Sequence, residues 1–253
     1  MLKRFNRGGF FMNQEVKEAL ILSGSSETGG GSFSKVEING SGKITGDVHC
    51  ESLECNGSAK VYGNITSEHT LIRGSMNIQG DLTSDKIEVQ GNADVSGQAA
   101  FRDMEIKGQA KVDQSLKGDH ILLEGMIKVK GDCEVESADL KGAFTIGGLL
   151  NSDHVAIELH GKSKVKEIGG ETITVKRSGP SILNLDKFIK SWSKELQAEL
   201  IEGDSINLEY TKAKVVRGNN VEIGPGCEIE LVEYGNDLQV SEKAKVGKSV
   251  KLQ

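Results

Sequence analysis

This 253-residue sequence predicts an all-β fold, a parallel β-helix or β-solenoid of 17-residue coils with a triangular cross-section. Three observations carry the prediction: a glycine column that recurs once per coil, apolar columns that keep the same period, and period-two alternation inside each short segment. One amphipathic α-helix is expected as an insertion near the C-terminal third.

The glycine column runs Gly40, Gly57, Gly74, Gly91, Gly108, Gly125 and Gly142. A second column follows six places later at Gly46, Gly63, Gly80, Gly97, Gly131 and Gly148, lapsing only at Gln114. Between them Ile44, Val61, Ile78, Val95, Val112, Val129 and Ile146 hold one apolar column. Ile38, Cys55, Ile72, Val89, Ile106, Leu123, Leu140 and Ile157 hold another, and Val48, Ile65, Leu82, Ala99, Leu116, Cys133 and Leu150 a third. Within one row the inward positions are Val36 and Ile38, Gly42 and Ile44, then Val48 and Cys50. Each pair is a short strand with one buried face, and offsets of 6, 6 and 5 carry the chain round three faces and three corners. Helical repeats need apolar spacings of three and four over roughly 30 or more residues, and a hexapeptide helix holds a multiple of six. Neither matches a period of 17.

Composition agrees. Aromatic residues make up only 4% of the chain, so the core is narrow and aliphatic. With 31 basic against 37 acidic residues the formal charge is -6, which argues against an electrostatic nucleic-acid binder. Cys50, Cys55, Cys133 and Cys227 form no CxxC pair and no secretory signal opens the chain, so a reducing cytoplasm is expected. No apolar run approaches the roughly 18 residues that would span a bilayer.

Rows such as Ala59-Lys60-Val61-Tyr62-Gly63-Asn64-Ile65 and Met76-Asn77-Ile78-Gln79-Gly80-Asp81-Leu82 resemble the repeat of the bactofilins, polymer-forming cytoskeletal proteins. The resemblance covers roughly Phe33 to Arg177. It implies a right-handed helix, a bacterial cytoplasmic location and nucleotide-independent polymerisation, with roles at the envelope such as cell shape, wall synthesis or motility. Handedness itself is not visible in spacing.

The breaks in the pattern set the expected domains. Residues 1–32 read as a flexible tail, because no column runs there and Ser23–Ser32 is rich in Gly and Ser. Residues 33–177 form the main β-helix, with a slip of two places expected as a bulge near Asn151–His154. Residues 178–201 form a linker and helix: Ser178-Gly179-Pro180 breaks the coil, and Leu185, Phe188, Ile189, Trp192, Leu196 and Leu200 follow helical spacing. That stripe would pack on the coil as a cap or dock a partner, with Phe188, Ile189, Trp192 and Leu196 as its contact residues. Residues 202–253 read as less regular coils and a candidate cap, a departure from the short family members that casts doubt on unrestricted end-to-end growth.

No chemistry emerges, so an enzyme is not expected, nor any cofactor. Gly161-Lys162-Ser163 and Gly247-Lys248-Ser249 lack the earlier glycine of a phosphate loop, since Ala156 and Glu242 stand there. His69, His120 and His154 share a column, but they lie three and two coils apart, too far for one ion. The carboxylates read as a scattered, solvated surface, Asp47, Asp81 and Asp132 being turn residues after corner glycines.

The function expected is therefore a self-assembling scaffold whose partner is chiefly another copy. Uncapped coil ends expose unpaired backbone groups and an apolar cross-section, with Phe33, Val36 and Ile38 as contacts at one end. Leu2, Lys3, Arg4, Phe5, Arg7, Phe10 and Phe11 combine apolar and basic residues as a short membrane-surface anchor would, an ordinary tail or an extension upstream of Met12 being the alternative. Envelope or motility proteins are further expected partners, and nucleic acid is not. A non-polymerising β-helix module that recruits a protein is the other functional reading. A hexapeptide acyltransferase, hinted at only by Gly224-Pro225-Gly226, lacks a placed His base.

Overall fold

The computed structural model of the chain describes residues 18–179 and 194–252. They form one continuous stack of twenty strands from Leu20 to Lys251, every pairing parallel. Ser41, Ser58, Ser75, Asn92, Gln109, Met126 and Ala143 pair in turn, each one full period of the glycine column from the last. Parallel pairing at about 4.8 Å per strand leaves like residues directly above one another, and that is what makes a sequence column a structural column.

The core is the stack of inward columns. Ile44, Val61, Ile78, Val95, Val112, Val129 and Ile146 are all buried, as are Ile38, Cys55, Ile72, Val89 and Ile106 above one another. β-branched side chains suit such a stack because their stiff χ1 rotamers interlock along a pleated surface. Burying each is worth about 1.5–3 kcal/mol, and no single layer dominates.

Three kinds of corner turn the coil. At the first, one glycine packs on the next backbone to backbone: a Cβ added to Gly91 would drive into the Gly74 carbonyl oxygen, and one on Gly74 into that of Gly57. The same carbonyls accept the next coil's N–H groups, Asn92 to Gly74 at 2.8 Å and Ser75 to Gly57 at 2.8 Å. Close approach, not a left-handed backbone, demands glycine here, since neither residue has a positive φ. At the second corner Asp or Asn continues the ladder sideways. Asp47 Oδ1 accepts the Asn64 N–H at 2.7 Å, Asn64 Oδ1 that of Asp81 at 2.8 Å, and Asp81 Oδ1 that of Gln98 at 2.8 Å. These residues are structural rungs as well as turn residues.

The third corner is a bend inside a strand. In Ile65–Ile72 two successive residues, Glu68 and His69, point outward and reverse the alternation. Ser67, Thr70 and Ser84 fill its inner side with a buried hydroxyl chain, Ser67 Oγ lying 2.7 Å from Thr70 Oγ1 and 3.0 Å from Ser84 Oγ. Two coils higher Phe101 takes the space beside Gly118, large against small.

Three expectations change. The helix is overturned: its C-terminal part is the strand Leu196–Leu208, with Leu196 fully buried and paired to Ser163 below and Thr211 above. Among the described residues there is no helix, and Leu185, Phe188, Ile189 and Trp192 lie outside them. The helical spacing arose because Leu196 is a core position displaced by a long insertion, which separates it from its partner Ser163 by nearly twice the usual period. The first coil starts at Leu20, so the Gly/Ser-rich stretch read as flexible runs through the paired strand Ser25–Ile38. The extra residues are not near Asn151–His154, where Ser137 still pairs with His154 at the regular period. They fall between Ile157 and Lys164, swelling the corner at 160–162, after which Ile146 pairs with Val165.

The C-terminal strands continue the main stack, because Ser163–Arg177 pairs directly with Leu196–Leu208. Here the coil shortens further than at the N-terminal end, Leu208 pairing with Ile223, and Tyr210 turns the tightened corner with φ of 45°. The insertion leaves and re-enters at one corner. Lys194 Nζ donates to Ser178 Oγ at 3.0 Å and to the Gly179 carbonyl at 3.2 Å, closing its base.

Gly91 and Gly161 test the corner. Gly91→Ala is expected to lose about 1–3 kcal/mol or more in urea unfolding, because backbone lies where the methyl must go. Gly161→Ala, at the swollen corner, meets only Ala143 Cβ at 3.5 Å and should stay within about 0.5 kcal/mol of the parent.

Candidate association surfaces

A solenoid offers two ends and its lateral surface. At the C-terminal end the last coil, Lys245–Lys251, pairs with Glu228–Val240 below and with no described strand above. Its apolar rim is open: Val240 is 45% exposed and Leu252 43% exposed, beside half-buried Leu238 and Val246. At the other end Leu20 and Leu22 pair with Val36 and Ile38. Val36 and Ile38 are therefore fully buried core residues one coil in, while Phe33, half-buried, lies on the first coil. Among described residues, Leu20, Leu22 and Phe33 are apolar groups at this end. The basic-apolar set Leu2, Lys3, Arg4, Phe5, Arg7, Phe10 and Phe11 falls outside the described residues, as do Phe188, Ile189 and Trp192. Leu196 is core.

Many charges on the lateral surface are paired, across coils and within them. Lys43 reaches Glu27 at 2.8 Å, Lys117 reaches Glu134 at 3.1 Å, and Arg217 bridges Glu202 and Glu233 at 3.0 and 2.7 Å. Hydrogen bonds from Lys130 and Lys111 hold the Asp113 carboxyl below the usual carboxylate range. Such exposed pairs contribute little each.

The carboxylates are not scattered. At the bend between the second and third segments, Glu51, Glu68 and Asp85 stack in one column, Arg102 interrupts, and Asp119, Glu136, Asp153, Glu171 and Asp204 continue it. The column is legible in the sequence at the same period as the glycines, and inspecting acidic residues for catalytic pairs rather than for register hides it.

Chemistry-bearing groups stay apart. His69, His120 and His154 share a column with Lys86, Asp103 and Ser137 between them. No group of three or more His, Cys, Asp or Glu among the described residues is placed to hold a metal ion. All four cysteines are buried; desolvation pushes Cys133 up to about 12 and Cys55 and Cys227 up to about 11. No helix among the described residues is long and apolar enough to cross a membrane.

A continuous parallel β-solenoid whose first and last described coils each pair on one side only among the described residues, with a regularly charged flank, defines a structural repeat protein. The family model described as "Bactofilin: Polymer-forming cytoskeletal" matches residues 13–100. Over 240 residues the chain is 54% identical to the uncharacterized protein YhbE of Bacillus subtilis (strain 168), covering 94% of this chain and all of YhbE. It is 42% identical to the uncharacterized protein YhbF of the same organism over 93 residues, a stretch that spans only 37% of either protein. No solved structure matches the chain significantly. The chain belongs to the bactofilin family, which is polymer-forming and cytoskeletal.

The thiols make a direct check of the closed core. Cys55, Cys133 and Cys227 should resist a thiol-labelling reagent at about pH 8 in the folded protein and label at once in denaturant, because the reactive thiolate is suppressed. The folded thiols also keep protons that unfolded ones release. Stability should thus be unaffected below the ordinary thiol value of 9.0 and fall as pH rises from there through about 11 to 12, visible in urea midpoints taken across that window.

Proposed function

We propose that the chain is a non-enzymatic scaffold subunit that stacks end to end into nucleotide-independent filaments in the bacterial cytoplasm. The observation that carries this reading is the open C-terminal coil, where Val240 and Leu252 leave an apolar rim beside strand edges with no described partner. A second copy covers those groups by continuing the stack, and burial plus backbone pairing supplies the drive, so no fuel is required. The coil beginning at Leu20 offers Leu20, Leu22 and Phe33 as the apolar groups of the other end.

The same reading puts the filaments near a membrane. The residues Leu2, Lys3, Arg4, Phe5, Arg7, Phe10 and Phe11 support it by composition, and one weak anchor per subunit becomes useful attachment when repeated along a polymer. Cell shape, wall synthesis or motility is the setting that the family suggests, with envelope or motility proteins as partners.

Negative-stain imaging of the full chain without nucleotide tests the stacking. Filaments are expected from the parent and are expected to shorten or vanish in Val240→Lys/Leu252→Lys, whose exposed side chains should leave the melting temperature near the parental value. Monomers from the parent at every concentration tried would refute the scaffold reading.

A further inference from the structure

The carboxylate column is a run of like charges without ion pairs on a surface where many other charges pair. Stacked at about 4.8 Å, Asp119, Glu136, Asp153, Glu171 and Asp204 repel their neighbours above and below, and like charges directly opposite in a sheet are destabilising. None of the five has an ion pair among the described residues; Asp204 accepts only the Asn219 side-chain amide at 2.9 Å. They line the bend between the second and third segments of each coil. In a three-sided coil that vertex points away from the face built by the first segment.

The opposite face carries the reverse charge. Over the first four of these coils it presents Lys111, Lys128, Lys130, Lys162, Lys164 and Lys166, with Asp113 the single acid among the outward residues of those segments. Asp113 takes up Lys111 and Lys130, Glu195 lies 3.8 Å from Lys162 and Glu167 3.2 Å from Lys166, while Lys128 and Lys164 have no ion pair among the described residues. A shallow groove runs along this face, lined by Lys111, Met126, Lys128, Thr145 and Lys162, with Asp94 at its lower end beneath Lys111. Met126 is 47% exposed there, apolar surface with nothing described upon it.

Each lysine strand lies in the same coil as one vertex acid: Lys111 with Asp119, Lys128 with Glu136, Lys164 with Glu171. A copy displaced sideways without rotation or axial shift therefore brings its acidic vertex to the lysine face of its neighbour at matching heights. The geometry points to a second copy of this chain as the occupant of that groove, bound side by side through face-to-vertex ion pairs. The contact is heterologous, the same surface pair recurring at every step, so it does not close and builds flat lateral arrays rather than a dimer. Desolvation on contact strengthens pairs that are weak on a free surface, and the attraction between exposed charges still falls with salt because screening shortens to about 3 Å at 1 M.

This inference does not rest on end-to-end stacking, because it concerns array width and not filament length. Pelleting and negative-stain imaging at about 0.05 M and about 0.5 M salt read it. The parent should form lateral arrays at low salt that disperse at high salt. Lys128→Glu/Lys164→Glu and Glu136→Lys/Glu171→Lys should each lose the arrays while melting as the parent does. The chain carrying all four reversals should regain them, since the reversed residues again meet at matching heights, position 128 with 136 and position 164 with 171. Absence of arrays from the parent at low salt, unchanged width in either double variant, or failure of the fourfold reversal to restore them would overturn the proposal. Changes in length alone would bear only on the stacking reading.

Discussion

Backbone contact at the glycine corner holds the rest of the structure in place. Gly57, Gly74 and Gly91 lie so close, each on the one below, that no side-chain carbon fits between them. Every coil must then turn at the same place and rise by one strand spacing, and the apolar columns follow as a geometric consequence. The Asp47, Asn64 and Asp81 side chains perform the matching task one corner on by bonding the N–H groups of the next coil. Aliphatic burial provides most of the free energy, but the corners determine that only one register collects it.

That division of labour explains which coils tolerate irregularity. From Gly40 up to the pairing of Leu140 with Ile157, the glycine corner holds the period constant. Where Gly161 no longer packs on backbone, the neighbouring coils drift: Ile157 pairs with Val175, then Val175 with Leu208 across the insertion, then Leu208 with Ile223 at a shorter step. The hydrogen-bonded ladder survives all of this, because parallel pairing needs the strands in line and does not need the corners to match. The buried hydroxyls of Ser67, Thr70 and Ser84 satisfy one another in the same spirit, along the axis and not outward to water.

Most of the coil was legible in the sequence because a solenoid converts long-range contact into constant spacing. Ile44, Val61 and Ile78 are far apart in a globular sense, yet the period alone stacks them. What was not legible follows the same logic. Leu196 and Leu200 fell at helical spacing by coincidence, and only the long-range pairing of Ser163 with Leu196 shows the first of them to be core. Val36 and Ile38 looked terminal because the coil below them, at Leu20 and Leu22, steps one residue short of the period, which puts Gly24 out of column although it packs directly beneath Gly40. The acidic vertex was written at the same period as the glycines, but outward columns carry no hydrophobic signal, and charge becomes informative only once register is known.

The corner between Arg177 and Leu196 has a consequence for how such a chain gains complexity. The inserted segment departs and returns at one point, fastened by Lys194 to Ser178 and Gly179, while the strands on either side pair as if it were not there. The stack is therefore indifferent to how much chain is spliced in, since lengthening a closed loop adds only about 0.6 kcal/mol per doubling. A corner of this kind is a graft site: evolution or an engineer can mount a foreign module on the rod at a fixed axial height without redesigning a single coil.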